Sequence, residues 1–294
     1  MSVFKFGLAA DKVDTIRREL GANSDGYMEA MANAERAFFS AITTEQNRLQ
    51  LDWLQLRMRL GYRLEQRELA RLDDYSIAVA KNISAQMDGA QRTVVVVTAD
   101  SLAAAMSDIK AQTWLGFDTE TAASFQKGQR NTNPISLVQI ATISHCYLFR
   151  MVETNIDLFK AALADVLGEG AAAVKVGIGL RSDISALKRD FNITLGPTLD
   201  INELMNHLGA PKQLGTIQIT ASVLKLKIPK TKKVTLSNWA RPLSEPLTAA
   251  QQDYAAADAL VALDCLFALF EQLQPYKSLW PNGLQQKLAL LNPK

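Results

Sequence analysis

Two textures of hydrophobic and polar positions divide the chain. From about residue 11 to 87 there is no proline and little glycine. Ala, Leu, Gln, Glu and Arg dominate there, all helix formers, and the segment predicts two or three helices. Leu49, Trp53, Leu56, Leu60 and Leu64 recur every three or four residues and would form one apolar stripe. From Thr93 onward, short β-branched runs alternate with helical ones. Strands are predicted at 93–98, 114–119, 135–142, 146–151 and 173–178, and helices at 101–111, 156–167, 182–190 and 249–272. Such alternation predicts an α/β domain, a sheet covered by helices, with its start near Asp88-Gly89-Ala90.

Composition changes this picture little. The chain has 294 residues, 48% hydrophobic and 21% charged, enough for a sizeable core. A net charge of +2 excludes polycation-style nucleic-acid binding, so any electrostatic footprint must be local. No apolar run reaches the length of a membrane span. Asp11, Asp14 and Glu19 near the start argue against a mitochondrial presequence, and no signal-peptide core is visible. The expectation is a soluble intracellular protein, nuclear or cytoplasmic. Cys146 and Cys265 have no metal-ligand spacing, and Cys265 sits in an apolar helical pattern as a buried thiol. His145 and His207 also lack ligand spacing.

Three acidic patterns carry candidate chemistry. Asp118-Thr119-Glu120 closes the apolar run 114–117. Alternate residues of a strand share a face, so the two carboxylates project together, and a cation between them would offset their repulsion. Asp183 follows Gly177-Ile178-Gly179 and opens a helix whose core face is expected to be Ile184, Leu187 and Phe191. Tyr254 and Asp258 are four apart on a late helix, on one face, with small residues between them. Its apolar face is expected at Ala256, Leu260, Leu263 and Phe267. Each pattern alone has an ordinary account: a solvated strand end, an acid at a helix dipole, a surface tyrosine beside a helix acid.

Their order is more specific. D-x-E on a strand, an Asp after G-x-G, then Y-x-x-x-D resembles the exonuclease domain family of ribonuclease D and the Werner-syndrome exonuclease, the tyrosine branch of the DEDD superfamily. The similarity runs from about Thr93 to Leu273 and includes Leu115–Thr121, Ile135–Ala141, Lys175–Gly179, Leu187–Phe191 and Ser237-Asn238-Trp239. Gly-Ile-Gly and Ser-Asn-Trp look closer to the Werner-type branch. The histidine branch places His five residues before its last Asp; here that position is Asp253.

The resemblance implies a ribonuclease H-like fold, a mixed central sheet flanked by helices. It implies a domain at 91–275, preceded by a helical extension at 1–90 and followed by a short tail at 276–294. It implies 3′–5′ hydrolysis of DNA or RNA with release of nucleoside 5′-monophosphates. Asp118, Glu120, Asp183 and Asp258 would hold two divalent ions, Mg²⁺ or Mn²⁺, with Asp118 bridging, and Tyr254 would orient the attacking water. The alternative is a non-catalytic nucleic-acid-binding or scaffolding protein that keeps this fold. Lys127, Arg130, Lys230, Lys232 and Lys233 are candidate phosphate contacts, the last three in the densest basic stretch. The N-terminal helices would serve oligomerisation or a protein partner, while Arg59, Arg63, Arg67 and Arg71 read as a solvated face. Asp200 and Glu203 suggest a helix-start capping pair, and Asp190, Asp253 and Asp264 surface acids.

Overall fold

The computed structural model describes residues 69–81, 83, 87, 89–122, 132–207, 213–229 and 232–273. Most of the helical extension, Lys127, Arg130, Lys230 and the tail lie outside them, as do the side chains of Lys232 and His207. The chain divides into two compact units. Among the described residues, the first contains those within 69–74, 202–227 and 268–273, and the second those within 75–201 and 228–267.

The second unit holds a six-stranded mixed sheet among the described residues. Its strands are β4 (Thr93–Val96), β5 (Trp114–Thr121), β6 (Ile135–Ala141), β7 (His145–Arg150), β8 (Val174–Gly177) and β9 (Thr198–Asp200), in the order β4-β7-β6-β5-β8-β9. β5–β6 and β6–β7 are antiparallel, and β4–β7, β5–β8 and β8–β9 are parallel. Every residue of β6 is buried, as expected for a strand covered on both faces. The short strands β2 (Val79–Ala80) and β3 (Ala90–Gln91) pair antiparallel just before β4.

One face of the sheet carries α1 (Ala99–Lys110), α2 (Asn155–Leu167) and α3 (Arg181–Phe191). Leu115, Phe117, Val138, Ile140 and Phe149 from the strands form one core there with Ile109, Phe159, Leu163, Leu187 and Phe191 from these helices. Local chemistry sets the helix ends. Thr98 and Ser101 form a reciprocal capping box that starts α1, and Asn192 ends α3 in the left-handed conformation. The core face of α3 differs from the expected one. Asp183, Ala186, Leu187 and Phe191 are buried, whereas Ile184 is exposed. A carboxylate therefore occupies the helix face that packing normally gives to an aliphatic residue.

The opposite face meets α7 (Ala249–Leu273), which follows α4 (Ile201–His207), α5 (Thr216–Leu224) and α6 (Lys232–Thr235). Instead of one apolar stripe, α7 is buried at every position from Ala255 to Leu266. Its alanines permit close approach to the sheet. A Cβ at Gly116 would lie 2.2 Å from the Ala259 carbonyl oxygen, so only glycine lets β5 and α7 approach this closely.

In the first unit, β1 (Asp73–Asp74) pairs parallel with β10 (Leu226–Lys227), and Lys227 Nζ lies 3.1 Å from Asp74. Asn202 bonds the Leu214 backbone in both directions, at 2.7 and 3.1 Å.

Candidate metal centre

Gly116, Asp118 and Glu120 alternate along β5 on the face that packs against α7. Asp258, one turn beyond Tyr254 on α7, meets them there. One carboxylate oxygen from each of Asp118, Glu120 and Asp258 lies within 4.8 Å of the others. Asp258 is buried, and Asp118 and Glu120 are half-buried at the strand end. Three carboxylates converging on one point repel strongly where water is scarce, and a hard divalent cation with oxygen preference offsets that repulsion. The donor set therefore fits such an ion.

Asp183 comes from the other helical layer. It is buried near Thr119, whose side chain points away from Asp118 and donates to Asp183 Oδ1 at 2.5 Å. Ser182 Oγ donates to the other oxygen at 3.4 Å. Burial pushes the Asp183 carboxyl above its usual range, while the bonds from Thr119, its own backbone and Ser182 pull it back. The three-acid cluster is thus preassembled, and Asp183 is held separately, by Thr119.

Asp200, at the end of β9, reaches back to the turn that precedes α3. It accepts from the backbone N–H groups of Gly179 and Leu180, at 3.0 and 2.9 Å, and fixes the turn between β8 and α3. Gly179 takes φ +80° there, a left-handed conformation suited to glycine. Asp200 therefore positions Asp183 through the backbone.

Tyr254 is half-buried with its ring 5.8 Å from that of the fully buried Trp239. Burial first, then the charges of Asp258, Glu120 and Asp118, push its hydroxyl far above the ordinary phenol range, against a hydrogen bond with Thr235. The phenol stays protonated throughout the physiological range. A cavity of about 440 Å³ adjoins it, with Tyr75, Ile77, Ile228, Pro229 and Val234 in its walls.

Sequence reasoning missed two supports. Thr248 and Gln251 form a capping box that starts α7: Gln251 N donates to Thr248 Oγ1 at 3.2 Å, and Thr248 N to Gln251 Oε1 at 3.1 Å. The Gln251 amide also donates to Ser237 Oγ and the Asn238 carbonyl, which ties the Ser-Asn-Trp segment to the helix carrying Tyr254 and Asp258. The T-x-x-Q spacing was the available signal. Asp264, expected on the surface, is fully buried and paired with Arg92 and Tyr75. No local signal marks it, because its partners lie 172 and 189 residues away. Asp190 is likewise engaged, accepting from Ile135 N at 2.9 Å, whereas Asp253 is exposed as expected. Lys233 is exposed on α6. Cys265 is buried as expected, and so is Cys146.

A mixed sheet with helices on both faces and carboxylates gathered at the end of its central antiparallel pair defines a nuclease-type α/β domain. The profile of the 3′–5′ exonuclease family matches residues 93–276, more than half of the chain, and the chain belongs to that family, in its DEDDy-type branch. Members are hydrolases that use divalent metals. The chain is 29% identical over 151 residues to the mouse bifunctional 3′–5′ exonuclease/ATP-dependent helicase WRN, covering 51% of this chain and 10% of that protein. It is 33% identical over 170 residues to the Drosophila melanogaster exonuclease 3′–5′ domain-containing protein 2, covering 56% and 27%. The chain thus spans well under half the length of either relative. Among solved structures, the Aedes aegypti Nibbler EXO domain superposes with TM-score 0.55 at 26% identity, covering 68% of this chain and 96% of that one. Escherichia coli RNase D superposes with TM-score 0.52 at 19% identity, covering 68% and 49%, and shows the shared ribonuclease H-like fold. No helix among the described residues is long and apolar enough to cross a membrane.

Proposed function

We propose that this chain is an active 3′–5′ exonuclease that removes nucleoside 5′-monophosphates from DNA or RNA ends. The observation that carries this reading is the convergence of Asp118, Glu120 and Asp258 within 4.8 Å, beside a tyrosine kept protonated. These three carboxylates, together with Asp183, would hold two divalent ions, Mg²⁺ or Mn²⁺. Bound there, the ions would neutralise the phosphodiester and acidify the attacking water.

The chain's own residues then have separable tasks. Asp118, which converges with Glu120 and Asp258, would be the bridging ligand, as the family resemblance implies. Tyr254 cannot act as a base while protonated, so its hydroxyl orients water through hydrogen bonds. In the balanced reaction, water oxygen bonds to phosphorus and the bond from phosphorus to the 3′ oxygen breaks. That oxygen leaves as a hydroxyl, having gained a proton. The cavity beside Tyr254 has the apolar walls to receive the terminal base. Lys233, with Lys127, Arg130, Lys230 and Lys232, would contact backbone phosphates. The N-terminal segment would serve a protein partner or a second copy. One fold neighbour, Trypanosoma brucei RNase D, was solved in complex with RNA U12, which makes RNA one substrate class to test.

The test uses matched 5′-labelled DNA and RNA with Mn²⁺ or with EDTA. Metal-dependent shortening from the 3′ end is expected. Binding without shortening of any substrate would instead assign a scaffolding role.

A further inference from the structure

Gln139 lies in the middle of β6 with no exposed surface and stands directly opposite Asp118 in the antiparallel register. Directly paired residues project from the same face, with Cβ atoms about 5 Å apart. The Gln139 side chain therefore lies under α7 beside the carboxylate cluster. Its other cross-strand neighbour is Leu148, and the rest of β6 is mostly aliphatic. Neither Oε1 nor Nε2 of Gln139 has a hydrogen-bond partner among the described residues.

A buried amide with both ends unsatisfied opposes folding, and an aliphatic side chain of similar size would pack there without that penalty. Such a group persists where a partner arrives with function. The adjacent carboxylate is the group whose needs change on metal binding. A carboxylate that gives one oxygen to a cation keeps lone pairs that call for a donor, and ligating carboxylates are themselves held by outer hydrogen bonds. An amide supplies that donor without positive charge, so it would not compete with the cation as a lysine or arginine would.

We propose that Gln139 is a positioning residue of the metal-loaded site, its amide N–H group holding the Asp118 carboxylate when the cluster carries a divalent ion. This rests on the reading of that cluster as a metal site. The amide acts through Asp118 and does not touch the reacting atoms.

The test compares wild type with Gln139→Met, which keeps the side-chain length and removes the amide. Mn²⁺ binding to the metal-free protein is followed by calorimetry, and thermal unfolding is followed separately in EDTA. Tenfold or more weakening of Mn²⁺ binding is expected, with a metal-free melting temperature equal to or above that of wild type. Mn²⁺ affinity within twofold of wild type overturns the inference. So does weakened affinity accompanied by a lower metal-free melting temperature, which would mark an ordinary structural role. Should the methionine variant fail to fold, Gln139→Asn keeps the amide but withdraws it by one methylene, and the same two readouts apply. If wild type itself binds no Mn²⁺, the metal-site reading fails. If wild type binds Mn²⁺ and cleaves while the variants match it, only the Gln139 inference fails.

Discussion

Arg92 and Asp264 close a buried, two-point ion pair, Nη1 to Oδ2 at 2.9 Å and Nη2 to Oδ1 at 2.5 Å. Tyr75 adds its hydroxyl to Asp264 Oδ2 at 2.5 Å. Burial pushes the Asp264 carboxyl up and the Arg92 charge and bonds pull it back. The clasp joins the chain ahead of β4 to α7, six residues beyond Asp258. It fixes the helix that delivers one wall of the acidic cluster. Asp264→Ala leaves the Arg92 guanidinium buried without its counter-ion, and a loss of about 3–5 kcal/mol is expected. Replacing the whole polar set, Arg92→Met and Tyr75→Phe with Asp264→Leu, should recover most of it. Urea unfolding of the two variants checks this.

The acidic cluster makes an opposite prediction for stability. Asp118→Asn removes one of three converging charges. The metal-free variant should unfold at or above the wild-type temperature, because like-charge repulsion falls. It should also lose the rise in melting temperature that Mn²⁺ gives wild type, since ligand binding to the folded state is the source of that rise. Thermal scans with and without Mn²⁺ measure both. A destabilised metal-free variant would contradict the electrostatic account.

Tyr254→Phe separates metal binding from turnover. On the proposed role the hydroxyl orients water and holds no metal, so Mn²⁺ affinity should hold within about twofold while the cleavage rate drops by about 100-fold or more. Because burial, the largest effect on it, holds the phenol protonated, the wild-type rate profile should show no tyrosine limb up to about pH 10, the ordinary phenol value. Single-turnover rates across pH decide the point.

Gly116→Ala probes the contact between strand and helix. The new Cβ would overlap the Ala259 carbonyl oxygen, a backbone atom that cannot rotate away, so α7 must shift. A stability loss of about 1–3 kcal/mol is expected, together with weaker Mn²⁺ binding, because Asp258 moves with the helix. Unchanged metal affinity would show that the cluster tolerates displacement of α7.

Lys175 gives a pH dependence with a definite sign. It is fully buried on β8, and its ammonium donates to the Ala173 carbonyl at 2.8 Å. Burial lowers its pKa from 10.5 to about 8. Below pH 8 the folded protein carries a desolvated charge, a cost of about 3 kcal/mol. Between pH 8 and about 10.5 the unfolded chain binds the proton more tightly, so this group's penalty fades as pH rises. Lys175→Met should therefore be more stable than wild type at pH 7, with the difference shrinking toward pH 10. A constant difference across that range would refute the assignment.

Much of this molecule is legible in its local patterns. Alternation placed β5, β6 and β7 within a few residues of their observed ends, and the period of 3.6 did the same for α2, α3 and α7. The shared face of Asp118 and Glu120, and of Tyr254 and Asp258, follows from backbone geometry alone. The same local rules misassigned Ile184 and Asp264. Periodicity says which side a residue takes, and only packing says what covers that side. Tertiary structure placed Asp183 in the other layer, bound to Thr119, and turned Asp264 from an apparent surface acid into half of a buried ion pair. It also brought Asp258 to Asp118 across 140 residues of chain and left the Gln139 amide unsatisfied beside them. That last meeting depends on the close contact of β5 with α7 at Gly116 and Ala259, a distance no sequence period encodes.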